Sequence, residues 1–283
     1  MKAIILRRRK LGRTSAREVS RFAQEAGYDL SEYRNDNPWP ADVDMVFRWG
    51  TTSHTQGKPI VVNTSEMIHS IADKKGSRLL LANEDMAPMT WVDPDDVPAE
   101  ALEGSPDGVV VRRASHHQGL YLHHCRTVPE LLEACAKYDD YYISKYVPKV
   151  AEYRVFVCQG RAVWVAKKTP ANPEDVAWNV ARGGRFDNVR WGEWPLKVVE
   201  LALAAANLFK VDFAGVDIMV DANGDGDVLE LNSAPSQTSP YRQESTSKAF
   251  RYIMDNGKET IPYQGVKNYR ELIHPGVCKE AVV

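Results

Sequence analysis

Long apolar runs are missing from these 283 residues. The most apolar window, Val198 to Phe209, is short and contains Glu200 and Asn207. A membrane-crossing helix needs about 20 apolar residues, so none is expected. The amino terminus, MKAIILRRRK, meets a basic run too early for a secretory signal, so a cytoplasmic location is expected. Cysteine is scarce: Cys125, Cys135, Cys158 and Cys278, none of them in a CxxC pair. They are too few to staple such a chain and read as reduced thiols. Excess charge of one sign is missing too. The formal net charge is -2, which gives no general pull toward nucleic acid or membrane, so any polyanion site must be a local patch. Walker A and G-x-G-x-x-G motifs and internal repeats are absent. The rest is ordinary: 43% hydrophobic and 26% charged residues exclude disorder as the main state. The length suits about two domains, or one large one.

Along the chain, Lys2–Leu6, Met45–Arg48 and Ile60–Val62 read as short strands. Ser15-Ala-Arg-Glu18 reads as a capping box for a helix ending at Gly27, and Thr64 as the cap of a helix ending near Gly76. Strands interleaved with helices suggest a largely parallel sheet. After an exposed Pro/Asp-rich stretch, 93–107, the texture changes. Strands are expected at 109–113, 119–123 and 141–147, with a Thr127-capped helix between the last two. Two hairpins follow, 152–168 around Gln159-Gly160 and 213–231. A polar segment with Asn179 and Arg182-Gly-Gly184 separates the hairpins, as does a helix over 196–209; a last helix is expected over 244–254.

The second hairpin carries the clearest chemistry. With its turn centred on Asn223-Gly224, Asp217 lies opposite Glu230, about 5 Å away between Cβ atoms. Asn232 shares the Glu230 face. Two carboxylates that close repel unless a hard cation such as Mg²⁺ sits between them, and Mg²⁺ held this way completes its shell with water and phosphates. Two other readings compete. The acids could face solvent, although Leu229 and Leu231 flank Glu230. Asp221-x-Asn223-x-Asp225-Gly226 also fits the first half of a calcium loop, but the twelfth position is Asn232 instead of Glu.

VDIMVDANGDGDVLELNSAPS resembles the carboxy-terminal signature of ATP-grasp ligases. EYRVFVCQGRAVWVAKK followed by WNVARGG is similar to the RimK-like, glutathione synthetase-like branch, and Asp73-Lys74 with Ala87-Pro-Met-Thr90 looks like its entry motif. The resemblance covers roughly 65–240, in the family's order. It implies an α/β (α+β) fold in three parts: an N-terminal parallel α/β domain over 1–82, a central lid over 83–147 and a C-terminal antiparallel-sheet metal-binding subdomain over 148–283. It implies a carbon–nitrogen ligase. ATP activates a carboxylate as an acyl phosphate, an amine attacks, and ADP and phosphate leave.

The resemblance also implies site roles. Asp217, Glu230 and Asn232 hold Mg²⁺, with two ions expected and Mn²⁺ as a substitute. Arg154, Lys168 (or its neighbour Lys167) and Arg182 act on the phosphate oxygens and the oxyanion. Lys74 (or Lys75), Arg112 and Asn179 contact the nucleotide, and the backbone at Ser144, Lys145, Tyr146 and Val147 reads adenine. Arg112 departs from the family's usual lysine, replacing a point charge with a planar fork. The implied partners are ATP, a carboxylate donor and an amine acceptor (an amino acid, peptide or protein terminus). Membrane and nucleic acid are not expected, and homo-oligomerisation stays open. The alternative is a nucleotide-binding protein of the same fold without ligase turnover.

Two further features compete for attention. His116, His117, His123 and His124, beside Cys125, suggest zinc, but adjacent strand residues point to opposite faces. The run Arg7, Arg8, Arg9, Lys10 and Arg13, with Trp49-Gly50 and Gln237 to Arg242, predicts an electropositive pocket for a carboxylate-bearing substrate. The competing reading of that run is a solvated or nucleic-acid-binding loop.

Overall fold

The computed structural model describes residues 1–8, 12–55, 57–103, 105, 107–115, 121–178, 180, 183–259 and 269–278. Three sheets form among them. The first holds β1 (Lys2–Arg7), β2 (Asp29–Arg34), β3 (Met45–Trp49) and β4 (Ile60–Val62), all parallel, in the order β2-β1-β3-β4. The central strands are continuous apolar runs, as a sheet covered on both faces requires. Helix α1 (Arg13–Glu25) packs on it through Ala16, Val19 and Ala23, spaced three and four apart.

Two helix starts differ from expectation. Gly12, not Ser15, caps α1, with φ 68. A Cβ at Gly12 would fall 2.4 Å from the Trp49 ring, so the entry to the helix is glycine's. Ser15 lies inside the helix, and its hydroxyl accepts from the Gln237 amide at 2.8 Å. Thr64 caps α2 as expected, but α2 (Ser65–Ala72) stops early. Asp73 then caps a separate helix, α3 (Lys74–Asn83), by accepting from Gly76. That break places Lys74 at the start of α3.

The second sheet, antiparallel, has the order β5-β8-β6-β7: β5 (Thr90–Trp91), β8 (Tyr141–Lys145), β6 (Val109–Arg113) and β7 (Leu122–Cys125). Helix α4 (Val128–Cys135) closes a small core over it. Val97 and Leu102, from the stretch expected to be exposed, are buried there.

The third sheet holds β9 (Ala151–Cys158), β10 (Arg161–Thr169), β11 (Arg185–Val189), β12 (Phe213–Val220) and β13 (Gly226–Asn232), ordered β11-β10-β9-β12-β13. β2 and the edge strand β11 escape sequence reading, because their residues are polar and mostly half-exposed. One face packs on α5 (Leu196–Leu208), whose alanines allow close approach.

The other face of this sheet is divided along its length. At one end, Phe156, Trp164 and Phe213 pack under the first sheet with Trp49 and with Phe250 of α6 (Pro240–Asn256). At the other end the same strands present Glu152, Arg154, Lys168 and Asp217. Gly215 marks the boundary: a Cβ there would lie 2.8 Å from Pro235. Asn63, in the left-handed region at φ 62, ties the two sheets together. Its side chain accepts from the Asp212 amide at 2.9 Å and donates to the Phe213 carbonyl at 2.8 Å.

Candidate active site

The charged half-face forms the floor of a cleft of about 640 Å³. Eight basic side chains line it against three carboxylates, in a chain whose overall charge is -2. In a chain of this net charge, any polyanion site has to be such a local patch.

Strand register explains the floor. Asp217 stands opposite Arg154 on one side and Glu230 on the other. Lys168 stands opposite Glu152, two residues before Arg154. All five side chains therefore share one face. Arg154 donates to both Asp217 oxygens, at 2.5 and 2.7 Å. Lys168 donates to Glu152 at 2.5 Å and lies 3.8 Å from Asp217. Lys149 completes the chain through the other Glu152 oxygen. The Phe186 ring sits under two of these cations, 4.6 Å from the Arg154 guanidinium carbon and 5.4 Å from the Lys168 nitrogen. Burial pulls the Lys149 ammonium down, against the pull of Glu152. Burial would also lower Arg154, but Asp217 outweighs it and raises the guanidinium.

Glu230 receives Lys74 across 156 residues of chain and a hydrogen bond from the Asn232 amide at 3.0 Å. Burial alone would raise the Glu230 carboxyl; Lys74, Asn232 and Arg154 together hold it well below the usual carboxylate range. Two carboxylates and an amide oxygen on one hairpin are the hard donors an Mg²⁺ ion takes. The surrounding excess of cations suits the phosphates that would complete its shell.

The sequence-derived residues distribute as follows. Lys74, Arg112, Ser144, Lys145, Tyr146, Val147, Arg154, Lys168, Asp217 and Glu230 all line the cleft. Asn232 stands behind it, on Glu230. Asn179 and Arg182 lie outside the described residues. Lys74 faces the cleft while Lys75 pairs with Asp140. Lys168 faces it while Lys167 is exposed beside Tyr153 on the other face. Arg112 lines the cleft, and Arg113 turns away to stack over Tyr121 at 5.3 Å. The amides of Lys145 and Tyr146 are spent on Met89 and Gly108 carbonyls, so a base edge is left to the rest of that segment.

Several members were missed, the exposed Arg185 among them. Arg78 is buried and donates to the Val228 and Leu229 carbonyls, bracing β13 from α3. Its spacing of four from Lys74 was a usable signal. Glu152 was signalled by its alternation with Arg154. Phe186 and Lys149 carried no local signal.

The remaining sequence features fall out in different ways. Trp49 and Gln237 belong to the core, Arg7 is buried on Glu32, and Arg242 is buried beside Phe186. Arg9 and Lys10 lie outside the described residues. His123 pairs with the Tyr138 hydroxyl at 2.7 Å, and His124 with the Asp107 carbonyl. His116 and His117 lie outside the described residues, among which no cluster of three metal-ligating side chains occurs. Asp221 spends its carboxylate on the amides of Asn223 and Asp225, so the calcium-like segment is a self-satisfied turn. Cys125, Cys135 and Cys158 are free and buried. No helix among the described residues is long and apolar enough to cross a membrane.

Comparison with known proteins agrees with this geometry. The "Probable alpha-L-glutamate ligase 2" of Hahella chejuensis (strain KCTC 2396) is 29% identical over 185 residues, 62% of this chain. The chain spans about three fifths, 59%, of that relative's length. A RiPP-associated ATP-grasp ligase of Chryseobacterium gregarium, solved with ADP and a leader and core peptide, superposes with TM-score 0.66 at 12% identity. The match covers 92% of this chain and all of that one. D-alanine–D-alanine ligase from Bacillus anthracis gives 0.64 at 17% identity, covering 91% and 97%. These structures share the fold. The model of the RimK-like ATP-grasp domain matches residues 72–254, well over half of the chain, so this protein belongs to the RimK-like ATP-grasp family.

Proposed function

We propose that this protein is an ATP-dependent carboxylate–amine ligase that works through an acyl phosphate and releases ADP and phosphate. The observation that carries the reading is the pairing of Asp217 and Glu230 on one hairpin, under a cleft with eight basic side chains. In this reading residues 1–82, 83–147 and 148–283 are the N-terminal, lid and metal-binding parts. ATP lies between the second and third sheets, its base against Tyr146 and Val147. Arg112, Lys145 and Lys74 meet the phosphates. Asp217, Glu230 and Asn232 would hold Mg²⁺, two ions in the full site, to neutralise charge on the transferred phosphoryl group. Mn²⁺ would substitute.

Arg154 and Lys168 do the remaining electrostatic work. Their positions are set before substrate arrives, because Asp217 and Glu152 hold them. Preorganised cations stabilise a developing oxyanion without reorganising at the moment of reaction. Arg182 and Asn179, outside the described residues, keep in this reading the phosphate and nucleotide roles that the family resemblance implies. The glutamate ligase relationship favours an amino acid as one substrate, and the other is an acid on an amino acid, peptide or protein terminus. A cytoplasmic compartment, which keeps thiols reduced, suits the free cysteines. The deciding experiment is incubation with Mg²⁺, ATP and pooled amino acids and peptides, read by mass spectrometry. A product heavier by one condensation, with stoichiometric ADP and phosphate, is expected. ADP formation without any condensed product would leave an ATPase or a nucleotide-binding protein.

A further inference from the structure

A second pocket, of about 310 Å³, opens at the carboxyl ends of β3 and β4 and shares no lining residue with the cleft. Arg48, Thr52, His54, Thr64, Ser65 and Glu66 line it. The carboxyl ends of parallel strands are where open α/β sheets place ligands.

Arg48 is the anomaly. It is the penultimate residue of β3, on the face away from Trp49, is only 6% exposed, and lines this pocket. Its Nε and Nη1 are buried with no hydrogen-bond partner among the described residues. A buried guanidinium whose N–H groups make no hydrogen bond is costly, and such groups are ordinarily satisfied. Glu66 lines the same pocket and attracts Arg48 without touching it, its carboxylate accepting from its own amide and from the Thr64 hydroxyl. It lies in the first turn of α2, whose N-terminal end attracts negative charge. An acid and a base thus stand apart around a space much larger than one water, which occupies about 30 Å³.

That separation selects the ligand. A phosphate or a dicarboxylate would be drawn to Arg48 and repelled by Glu66. A group carrying both charges satisfies both walls. We infer that this pocket binds the zwitterionic end of an α-amino acid, its carboxylate on Arg48 and its ammonium on Glu66, with the Thr52 and Ser65 hydroxyls beside them. Arg suits the carboxylate because its planar fork makes bidentate bonds. Helix α2 runs from this pocket to the Lys74 end of the cleft, about 12 Å at 1.5 Å per residue. The pocket is therefore a second binding site, and its occupancy does not depend on the nucleotide reading of the cleft.

The test is calorimetric titration of the full chain, saturated with Mg²⁺ and ADP, with the common L-α-amino acids. Each amino acid that binds is then compared with its analogue lacking the α-amino group and its analogue lacking the α-carboxylate. At least one amino acid should bind saturably, and both analogues should bind at least tenfold more weakly. Arg48→Gln and Glu66→Gln should each weaken binding tenfold or more while ADP affinity stays unchanged. Glu66 is exposed, so Glu66→Gln keeps the test open if Arg48→Gln fails to fold. The inference is overturned if no amino acid binds, if binding survives Glu66→Gln at full strength, or if inorganic phosphate or the deaminated analogue binds equally well.

Discussion

Arg154 grips both oxygens of Asp217 from the neighbouring strand, so a buried acid of the cleft is held by a fixed cation. That acid is a counter-charge to Arg154 and, in the proposed reading, a metal ligand as well.

Asp217→Asn therefore has two expected effects. Asp217 is buried, so the substitution reaches stability as well as chemistry. Losing its charge leaves Arg154 and Lys168 less compensated, at about 1–3 kcal/mol in urea denaturation. Mg²⁺-ATP turnover should fall by about a hundredfold or more. Glu230, with 36% of its side chain exposed, should show the same turnover loss as Gln with less destabilisation. Parental turnover in both variants would remove these residues from the metal site.

Arg112→Lys should keep measurable activity, and Arg112→Ala should weaken ATP binding tenfold to a hundredfold, matching about 1.5–3 kcal/mol for a charged hydrogen bond. Arg113→Ala should leave ATP affinity unchanged, because Arg113 points away from the cleft. Equilibrium titration with a fluorescent ATP analogue checks all three.

Gly215→Ala should damage catalysis more than folding. The new methyl, 2.8 Å from Pro235, must displace that ring and would touch the Arg154 side chain, 3.4 Å away at Cδ. Overpacking costs about 1–3 kcal/mol. The discriminating result is a kcat loss larger than the thermal shift explains.

His274 gives an acid-side signature. It is fully buried, and burial, helped by Arg161, lowers its pKa to about 4. The unfolded chain protonates it near the ordinary value of about 6.5, so its contribution is complete above that pH. It is lost as pH falls from there to about 4, because the unfolded state then binds the extra proton. The loss should reach about 3 kcal/mol at most, and His274→Asn should flatten the pH 4–6.5 limb of the stability curve. An unchanged limb would assign it to another group.

The sequence yields most of the cleft because hairpins translate spacing into geometry. The Asn223-Gly224 turn puts Asp217 opposite Glu230, and the structure has that pair. Lys167 against Lys168 was undecidable for an equally physical reason. Simple pairing from Gln159-Gly160 would bring Lys167 opposite Glu152. A bulge between Ala162 and Trp164 shifts the parity of β10 and brings Lys168 there instead. Ser15 misleads because its hydroxyl meets Gln237, 222 residues away, and no local pattern announces such a partner. Phe186 is hidden by the polar neighbours of an edge strand.

The core around Trp49 sets the order in which this chain can be completed. Its neighbours Phe156, Phe213 and Phe250 lie more than a hundred residues further on, and Asn63 waits for Asp212. Contacts so distant in sequence carry a loop-closure cost before they return any stability. During synthesis the first sheet emerges with one face covered only in part, by α1, and stays so until α6 has left the ribosome. An amino-terminal fragment of 1–82 made alone should expose that face, stick to itself and recover solubility only when 148–259 is supplied in trans.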